Sequence, residues 1–404
     1  MEILEMLQAH GQGDLLRFYE ELNEEQRARF TAQLKNIDWS LLEEIDKPER
    51  KNLGKIEPIE GMSVADIQAR KDELEEAGKA AIRAGKVCAV LLAGGMGTRL
   101  GSSAPKGCYN IGLTRELYIF EQLVRNLQDS VKACGAGIPL LIMTSERNDA
   151  ETRAFFEKHG YFGYPASLVR FFPQEMAICV GFDQKILLEE KGALALSPNG
   201  NGGWYSSLVK AGLLEDGLLK GVEWFNVFAV DNVLQRIADP VVVGAAILSG
   251  KQCGAKVVRK ACPEERVGVL CLRGGLPDVI EYYELPKELA YLKDKAGNLL
   301  YSYGVILNYL FRAKTLKTLS GEKIPVHVVK KKAAHLDKAG NKVIPQSENA
   351  YKFETLILDM VRLSGSCLPF EVEREREFAP VKNLNGVDSV DTARVLLQKN
   401  GVDL

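Results

Sequence analysis

Histidine is scarce in this chain of 404 residues, with His10, His159, His327 and His335 the complete set. Zinc centres and histidine-based triads draw on clusters of that residue, so both are poorly supplied. No CxxC pair occurs among Cys88, Cys108, Cys134, Cys179, Cys253, Cys262, Cys271 and Cys367. Several of them sit in apolar runs, which suits small buried hydrophobes in a reducing compartment. A surplus of positive charge is also missing. Lys plus Arg is 52 against 54 for Asp plus Glu, a balance that gives no support to nucleic-acid binding. No window approaches about 20 uninterrupted apolar residues, so no membrane span is expected. The N-terminus is acidic and amphipathic, unlike a signal peptide. The expected state is a cytoplasmic monomer or weak oligomer with no nucleic-acid or membrane partner, and any anion site must be local.

What is present concentrates in Val87 to Leu113, VCAVLLAGGMGTRLGSSAPKGCYNIGL. The apolar run Val87 to Leu92 reads as a buried parallel strand. It breaks into Gly94, Gly95, Gly97 and Gly101, with Thr98 and Arg99 among them, and Pro105-Lys106-Gly107 then turns the chain and presents an ammonium. Glycine lets backbone N–H groups turn inward on an anion, so strand, loop and two cations describe a phosphate site at a sheet's carboxyl edge. It is not a P-loop, because GxxxxGK followed by Ser or Thr is absent. Nor is it the dinucleotide fingerprint, because Gly95-Met96-Gly97-Thr98-Arg99 is followed by Leu100. A glycine-rich turn that only joins strand to helix is the plain alternative.

Upstream, residues 1 to about 46 read as helical, with Leu15, Phe18, Tyr19 and Leu22 on one face and Asn23 capping EEQRARFTAQL. A polar linker spans 47–62. Ser63 to Ile82 reads as one amphipathic helix, with Ser63 and Asp66 as a capping-box variant. Downstream, helices are expected over Leu117–Leu127, Asp149–His159, Phe353–Leu363 and Ser389–Gln398. Strands are expected over Ile138–Met143, Leu168–Phe172, Lys185–Glu189, Trp224–Val230, Ala255–Arg259, Val267–Leu272, Val279–Glu284 and Phe370–Glu373. Alternation of this kind implies an α/β protein with a doubly wound, mainly parallel sheet. The expected division is 1–62, 63–383 and a short tail helix at 384–404.

Other segments could carry chemistry, each with a plainer reading beside it. Phe171-Phe172-Pro173-Gln174 ends a strand in an amide, which can pair with a base edge or simply lie on the surface. Ser197-Pro198-Asn199-Gly200-Asn201-Gly202-Gly203 is a second glycine-rich loop, or an ordinary long turn. Val227-Phe228-Ala229-Val230-Asp231-Asn232 is a buried strand ending in a carboxylate. Asp231 could hold magnesium, which is satisfied with one or two carboxylates plus substrate phosphates, or it could cap a helix. Glu281 in Glu281-Tyr282-Tyr283-Glu284 reads by itself as a solvent-facing strand residue, the commoner fate of a glutamate.

LAGGMGTRLG followed by PKG, together with GQGDLLRFYEELNEEQRA near the N-terminus, resembles the UDP-sugar pyrophosphorylases, and most of all the eukaryotic-type UDP-N-acetylglucosamine pyrophosphorylases. The resemblance implies a Rossmann-like, GT-A-like nucleotidyltransferase fold with a mixed sheet and an N-terminal helical segment. It implies transfer of a uridylyl group from UTP to a sugar 1-phosphate, with Mg2+ as cofactor. By the same resemblance Leu92, Ala93, Gly94, Gly95, Gly97, Thr98, Gln174, Gly202 and Asp231 would bind the nucleotide. Arg99, Lys106 and the Lys382 of FAPVKN would be catalytic. Asn201, Asp231, Gly268, Glu281 and Asn308 would face the sugar, and Asp231 would hold the metal. Two departures fall on the sugar side. Val305 stands where the family segment has an asparagine, with Asn308 three residues on as a substitute, and Leu356 and Leu358 stand where the hexosamine enzymes carry phenylalanines. The expected sugar is N-acetylglucosamine 1-phosphate; UDP-glucose or broad UDP-sugar formation is the alternative, and a non-catalytic UDP-sugar sensor the remote one. Larger family members carry a further C-terminal domain, which the resemblance does not lead us to expect in these 404 residues.

Overall fold

The computed structural model describes residues 2–47, 54–319 and 324–404. The chain forms two compact units. The larger comprises Leu53–Gln174, Trp204–Lys323 and Leu358–Leu404, and the smaller Met1–Asn52, Glu175–Gly203 and Ile324–Ile357. These lines differ from the expected boundaries at 62 and 383, because two later excursions of the chain join the N-terminal segment. Residues 48–53 of the expected linker lie outside the described residues.

The larger unit is built on a ten-stranded mixed sheet. Its strands are β1 (Ile56–Glu57), β2 (Val87–Leu92), β3 (Leu140–Thr144), β4 (Val169–Pro173), β5 (Trp224–Ala229), β6 (Cys253–Arg259), β7 (Val269–Arg273), β8 (Leu276–Ile280), β9 (Tyr303–Arg312) and β10 (Cys367–Glu371). The main path runs β1-β7-β9-β5-β2-β3-β4, with β8 on β7 and with β6 joining β9 to β10. Strands β5, β2, β3 and β4 are parallel. Strands β2, β3 and β5 are mostly apolar and buried at every position because both faces are covered, whereas β4 carries the half-buried Arg170 and ends in the exposed Pro173.

Register decides what gathers at one edge. Ala229 pairs with Leu92, and Thr144 with Pro173, so β2, β4 and β5 all end together. Strand β9 runs the other way: Phe228 pairs with Asn308, which carries Tyr303 to Ile306 beyond the end of β5. Gly304 pairs with Val269, and Val269 with Ile280. The start of β7 and the end of β8 therefore reach the same edge.

Helices α1 (Lys71–Arg83), α2 (Ile119–Cys134), α3 (Asp149–Lys158), α4 (Pro240–Ser249) and α5 (Val390–Lys399) accompany this sheet. Asp239 caps α4 by accepting from the Val241 N–H at 3.0 Å, Pro240 begins it, and Gly250 ends it at φ 68°. Helices α1 and α4 touch backbone to backbone. A β-carbon at Gly78 would lie 1.8 Å from the Pro240 carbonyl oxygen, and one at Gly244 would lie 1.8 Å from that of Leu74. No rotamer relieves such a clash, so the helices would have to part. Gly244→Val is expected to cost about 3 kcal/mol, read as a lower urea midpoint at unchanged slope. An unmoved midpoint would mean that the two helices do not meet there.

In the smaller unit Leu7, Leu15, Phe18, Phe30 and Leu34 form one core with Ile178, Leu188 and Phe353. Asn23 caps the helix Glu24–Lys35 in a capping box with Gln26. The apolar face at Leu15, Phe18 and Leu22 is buried as its spacing requires, but the segment forms two short 3-10 turns, Gly13–Leu16 and Tyr19–Glu21, instead of a regular helix. The helix expected over Phe353–Leu363 begins only at Ile357, because Ala350–Thr355 is a strand that pairs with Val326–Lys331. The strand expected from Lys185 is reduced to Leu188–Glu190. In the larger unit, the helix expected over Ser63–Ile82 breaks at Arg70 (φ −115°), with the Ser63–Asp66 capping box intact.

Candidate active site

The loop after β2 is a hairpin held by its own backbone. The Gly97 N–H donates to the Ala104 carbonyl at 2.9 Å, and the Lys106 N–H donates to that of Gly95 at 3.1 Å. Arg99 lies on a single 3-10 turn, Thr98–Leu100, closed by Gly101 at φ 73°. The preceding Leu92 and Ala93 are fixed from both sides: the Ala93 N–H donates to Met143 on β3, and the Leu92 carbonyl accepts from Val230 after β5. Thr98, Arg99 and Gly95 are exposed, while Lys106 is mostly buried.

Gly94 is needed for a close approach. A β-carbon there would lie 2.6 Å from Gln174 Nε2, so the amide at the end of β4 rests on the loop backbone. Gln174 is held by its own N–H, which donates to Thr144 at 2.8 Å. Behind the loop stands a residue that the sequence reading missed. Asn148, fully buried before α3, donates through Nδ2 to the Ala93 carbonyl at 2.9 Å and to that of Gly95 at 3.4 Å. Its Oδ1 accepts from the Ser145 N–H at 2.7 Å. An asparagine ahead of a helix looks like an ordinary cap, and nothing in its spacing points at a loop 53 residues earlier.

The charged groups converge. Lys106 Nζ is 3.9 Å from Asp231 Oδ2. Burial pushes the Lys106 ammonium below the usual lysine range, Asp231 pulls it back up, and the cations Arg99 and Lys382 push it down again. Lys382 is brought in by backbone bonds. The Asp231 carbonyl accepts from the Val381 N–H at 2.8 Å, and buried Asn232 donates to the Glu377 carbonyl and accepts from the Ala379 N–H. Asn232 is thus a second positioning residue not anticipated. Glu377 is itself held by a buried ion pair with Lys256.

Where β7 and β8 reach the same edge, a β-carbon at Gly268 would be 2.9 Å from Val279, 3.4 Å from Val305 Cγ2 and 4.0 Å from Glu281 Oε2. Gly268, Val305 and Glu281 therefore share one small space. Strand β8 stops at Ile280, and the Glu281 carbonyl accepts from the Glu284 and Leu285 N–H groups, so Glu281 opens a turn instead of continuing the strand to Glu284. Burial first, and then Glu284, raise the Glu281 carboxyl above its ordinary value, while Lys382 opposes them.

Asn308 does not join this group. It is 1% exposed on β9, where its Oδ1 accepts from Asn226 at 2.7 Å and its Nδ2 donates to Gln235 at 3.1 Å. Its amide is committed to the core, and the strand pairing of β9 excludes the helical alternative. Asn201 and Gly202 belong to the smaller unit. There Asn201 Oδ1 accepts from the Ile357 N–H at 2.9 Å, and Gly202 lies against the Leu356 backbone, where a β-carbon would come within 2.7 Å. The Asn201 carbonyl is thus occupied as a helix cap.

Among the described residues no group of three or more His, Cys, Asp or Glu could hold a metal ion, and no helix is long and apolar enough to cross a membrane. A single carboxylate beside a backbone loop and cations still suits magnesium, which takes most of its ligands from water and phosphates.

A mixed sheet that delivers a glycine loop, cations and one carboxylate to the ends of its parallel strands is built as a nucleotidyltransferase. The model of the UDPGP family, described as UTP--glucose-1-phosphate uridylyltransferase, matches residues 26–401. A UDP-N-acetylglucosamine pyrophosphorylase of Saccharomyces cerevisiae is 40% identical over 82% of this chain and 72% of its own length. UDP-N-acetylhexosamine pyrophosphorylase-like protein 1 of Homo sapiens is 38% identical, covering 97% and 82%. The solved UDP-N-acetylglucosamine pyrophosphorylase of Trypanosoma brucei superposes with a TM-score of 0.82 at 29% identity, covering 98% of this chain and 84% of that one. The chain belongs to the UDPGP family.

Proposed function

We propose that the protein joins UTP and N-acetylglucosamine 1-phosphate to give UDP-N-acetylglucosamine and pyrophosphate. The supporting observation is the approach of Lys106 to Asp231 at 3.9 Å, with Arg99 and Lys382 close enough to act on the same ammonium. A phosphate oxygen of the sugar phosphate bonds to the α-phosphorus of UTP. The bond to the bridging oxygen breaks, and its electron pair leaves with pyrophosphate. This chemistry needs positioning and charge neutralisation more than acid–base groups, which agrees with the scarcity of histidine. The hairpin amides and Arg99 bind the leaving phosphates, Lys106 offsets charge at the α-phosphate, Gln174 reads the base and Lys382 orients the nucleophile. Asp231 would hold Mg2+, which when bound neutralises phosphate charge. All eight cysteines are free thiols, which supports the cytoplasm as its compartment.

The test is pyrophosphate release with UTP, Mg2+ and a panel of N-acetylglucosamine, N-acetylgalactosamine, glucose and galactose 1-phosphates, with Lys106→Ala as control. Release that the control lacks supports the reading. Silence across the panel with UDP-sugar still bound would replace the enzyme with a sensor.

A UDP-glucose or broad UDP-sugar activity is the second reading, favoured by Val305 beside Gly268 and Glu281. A valine offers an acetamido group no hydrogen bond. Val305→Asn is expected to shift preference toward N-acetylglucosamine over glucose 1-phosphate by about 1–3 kcal/mol. Unchanged kcat/KM ratios would place Val305 outside the sugar contact.

A further inference from the structure

The Lys382 ammonium has a partner that the reaction scheme does not use. Its Nζ donates to Asp388 Oδ2 at 3.1 Å, across the loop from Asn383 to Ser389 that leads into α5. The same aspartate also binds Lys382 through its backbone. The Asp388 carbonyl accepts from the Lys382 N–H at 2.7 Å and from the Asn383 N–H at 3.1 Å. The loop is closed further by Asn383 Nδ2 on the Val387 carbonyl and by the Val390 N–H on that of Asn383. Asp388 sits at φ 53°, one of six non-glycine residues in the left-handed region among those described. Aspartate tolerates that conformation better than most residues.

We propose that Asp388 is a positioning residue that fixes the Lys382 ammonium for the phosphate of the incoming sugar 1-phosphate, an inference that rests on the role given to Lys382 above. A lysine on a flexible four-carbon stem does not hold one position unaided, and here the Lys106 ammonium repels it. Of its three N–H donors, one goes to Asp388 and two are left for phosphate oxygens. The Asp388 and Lys382 side chains are about one-third exposed, so their pairing contributes little to stability. A purpose in stability is therefore a poor account of a contact made twice, by side chain and by backbone.

Asp388→Asn separates the charge from the fold, because asparagine accepts the same backbone conformation and leaves the carbonyl bonds in place. The variant is expected to lose about tenfold in kcat with sugar 1-phosphate, with KM for UTP and the thermal midpoint unchanged. In a Lys382→Met background the same substitution is expected to do nothing further. A wild-type kcat in Asp388→Asn, or an equal loss in the Lys382→Met background, would overturn the proposal. Asp388→Gly, the residue freest at that φ, is the second variant should Asn fail to fold. One readout is independent of turnover: acetylation of Lys382 by acetic anhydride in the full chain, followed by peptide mass spectrometry. Severalfold faster labelling in Asp388→Asn is expected. Unchanged labelling overturns the proposal even if no sugar phosphate is a substrate, and that silence would by itself overturn only the proposed function.

Discussion

Arg99→Ala and Lys106→Ala are each expected to lower turnover by ~10² or more at saturating UTP, the scale seen when one preorganised charge donor is removed from a reacting centre. The two act from different environments. Arg99 is exposed on its 3-10 turn, and no hydrogen bond or ion pair ties its guanidinium to a described residue. Its removal should leave the fold untouched, so the loss must appear in turnover and not in the thermal midpoint. Lys106 is mostly buried, 3.9 Å from Asp231, on a backbone pinned to Gly95. An ammonium withdrawn from water acts on phosphate with less screening, so its deletion should cost at least as much as that of Arg99. Lys106→Arg is not expected to rescue, since a forked guanidinium does not fit a site shaped for a point charge. Initial rates of pyrophosphate release check all three variants. Turnover near wild type in both alanine variants would remove the leaving-group clamp from the mechanism.

The strand and glycine loop proposed to hold the nucleotide were legible as structure in the sequence because their determinants are local. One strand, one glycine loop and one lysine lie within 20 residues of each other, and the buried run VCAVLL declares its own conformation. The place of Asp231, just past the second buried run Trp224–Ala229, was legible for the same reason. What sequence could not reveal depends on register. Asn308 has the residue type that a sugar pocket wants, but the pairing of Phe228 with Asn308 turns it into the core, against Asn226 and Gln235. Asn148 and Asn232 hold the loop and the Lys382 segment through contacts 53 and 147 residues away in the chain. Single side chains that bond to distant backbone leave no periodic trace. The helix expected over Phe353–Leu363 forms, but only from Ile357, because short apolar stretches satisfy both periods and the pairing of Ala350–Thr355 with Val326–Lys331 claimed its first residues.

Asp231→Asn is expected to fall at least as far as the lysine variant, ~10² or more in turnover, and to change the pH profile as well. In the native protein the Lys106 ammonium is depressed by burial and by the cations Arg99 and Lys382, and Asp231 alone opposes them. A depressed lysine is fully charged only below its lowered pKa. A rate that needs the ammonium therefore declines as pH rises through a value below the ordinary lysine range. Removing Asp231 deletes the one group that raises that value, so the alkaline decline should begin at lower pH in Asp231→Asn than in wild type. The two roles of the carboxylate separate by rescue. Acidifying the assay should restore the part of the loss that comes from Lys106, and raising Mg2+ should restore the part that comes from a weakened metal site. An alkaline limb that stays in place, with full recovery at high Mg2+, would leave Asp231 as a metal ligand with no hold on Lys106. A limb that moves, with no response to Mg2+, would assign the carboxylate to the lysine alone.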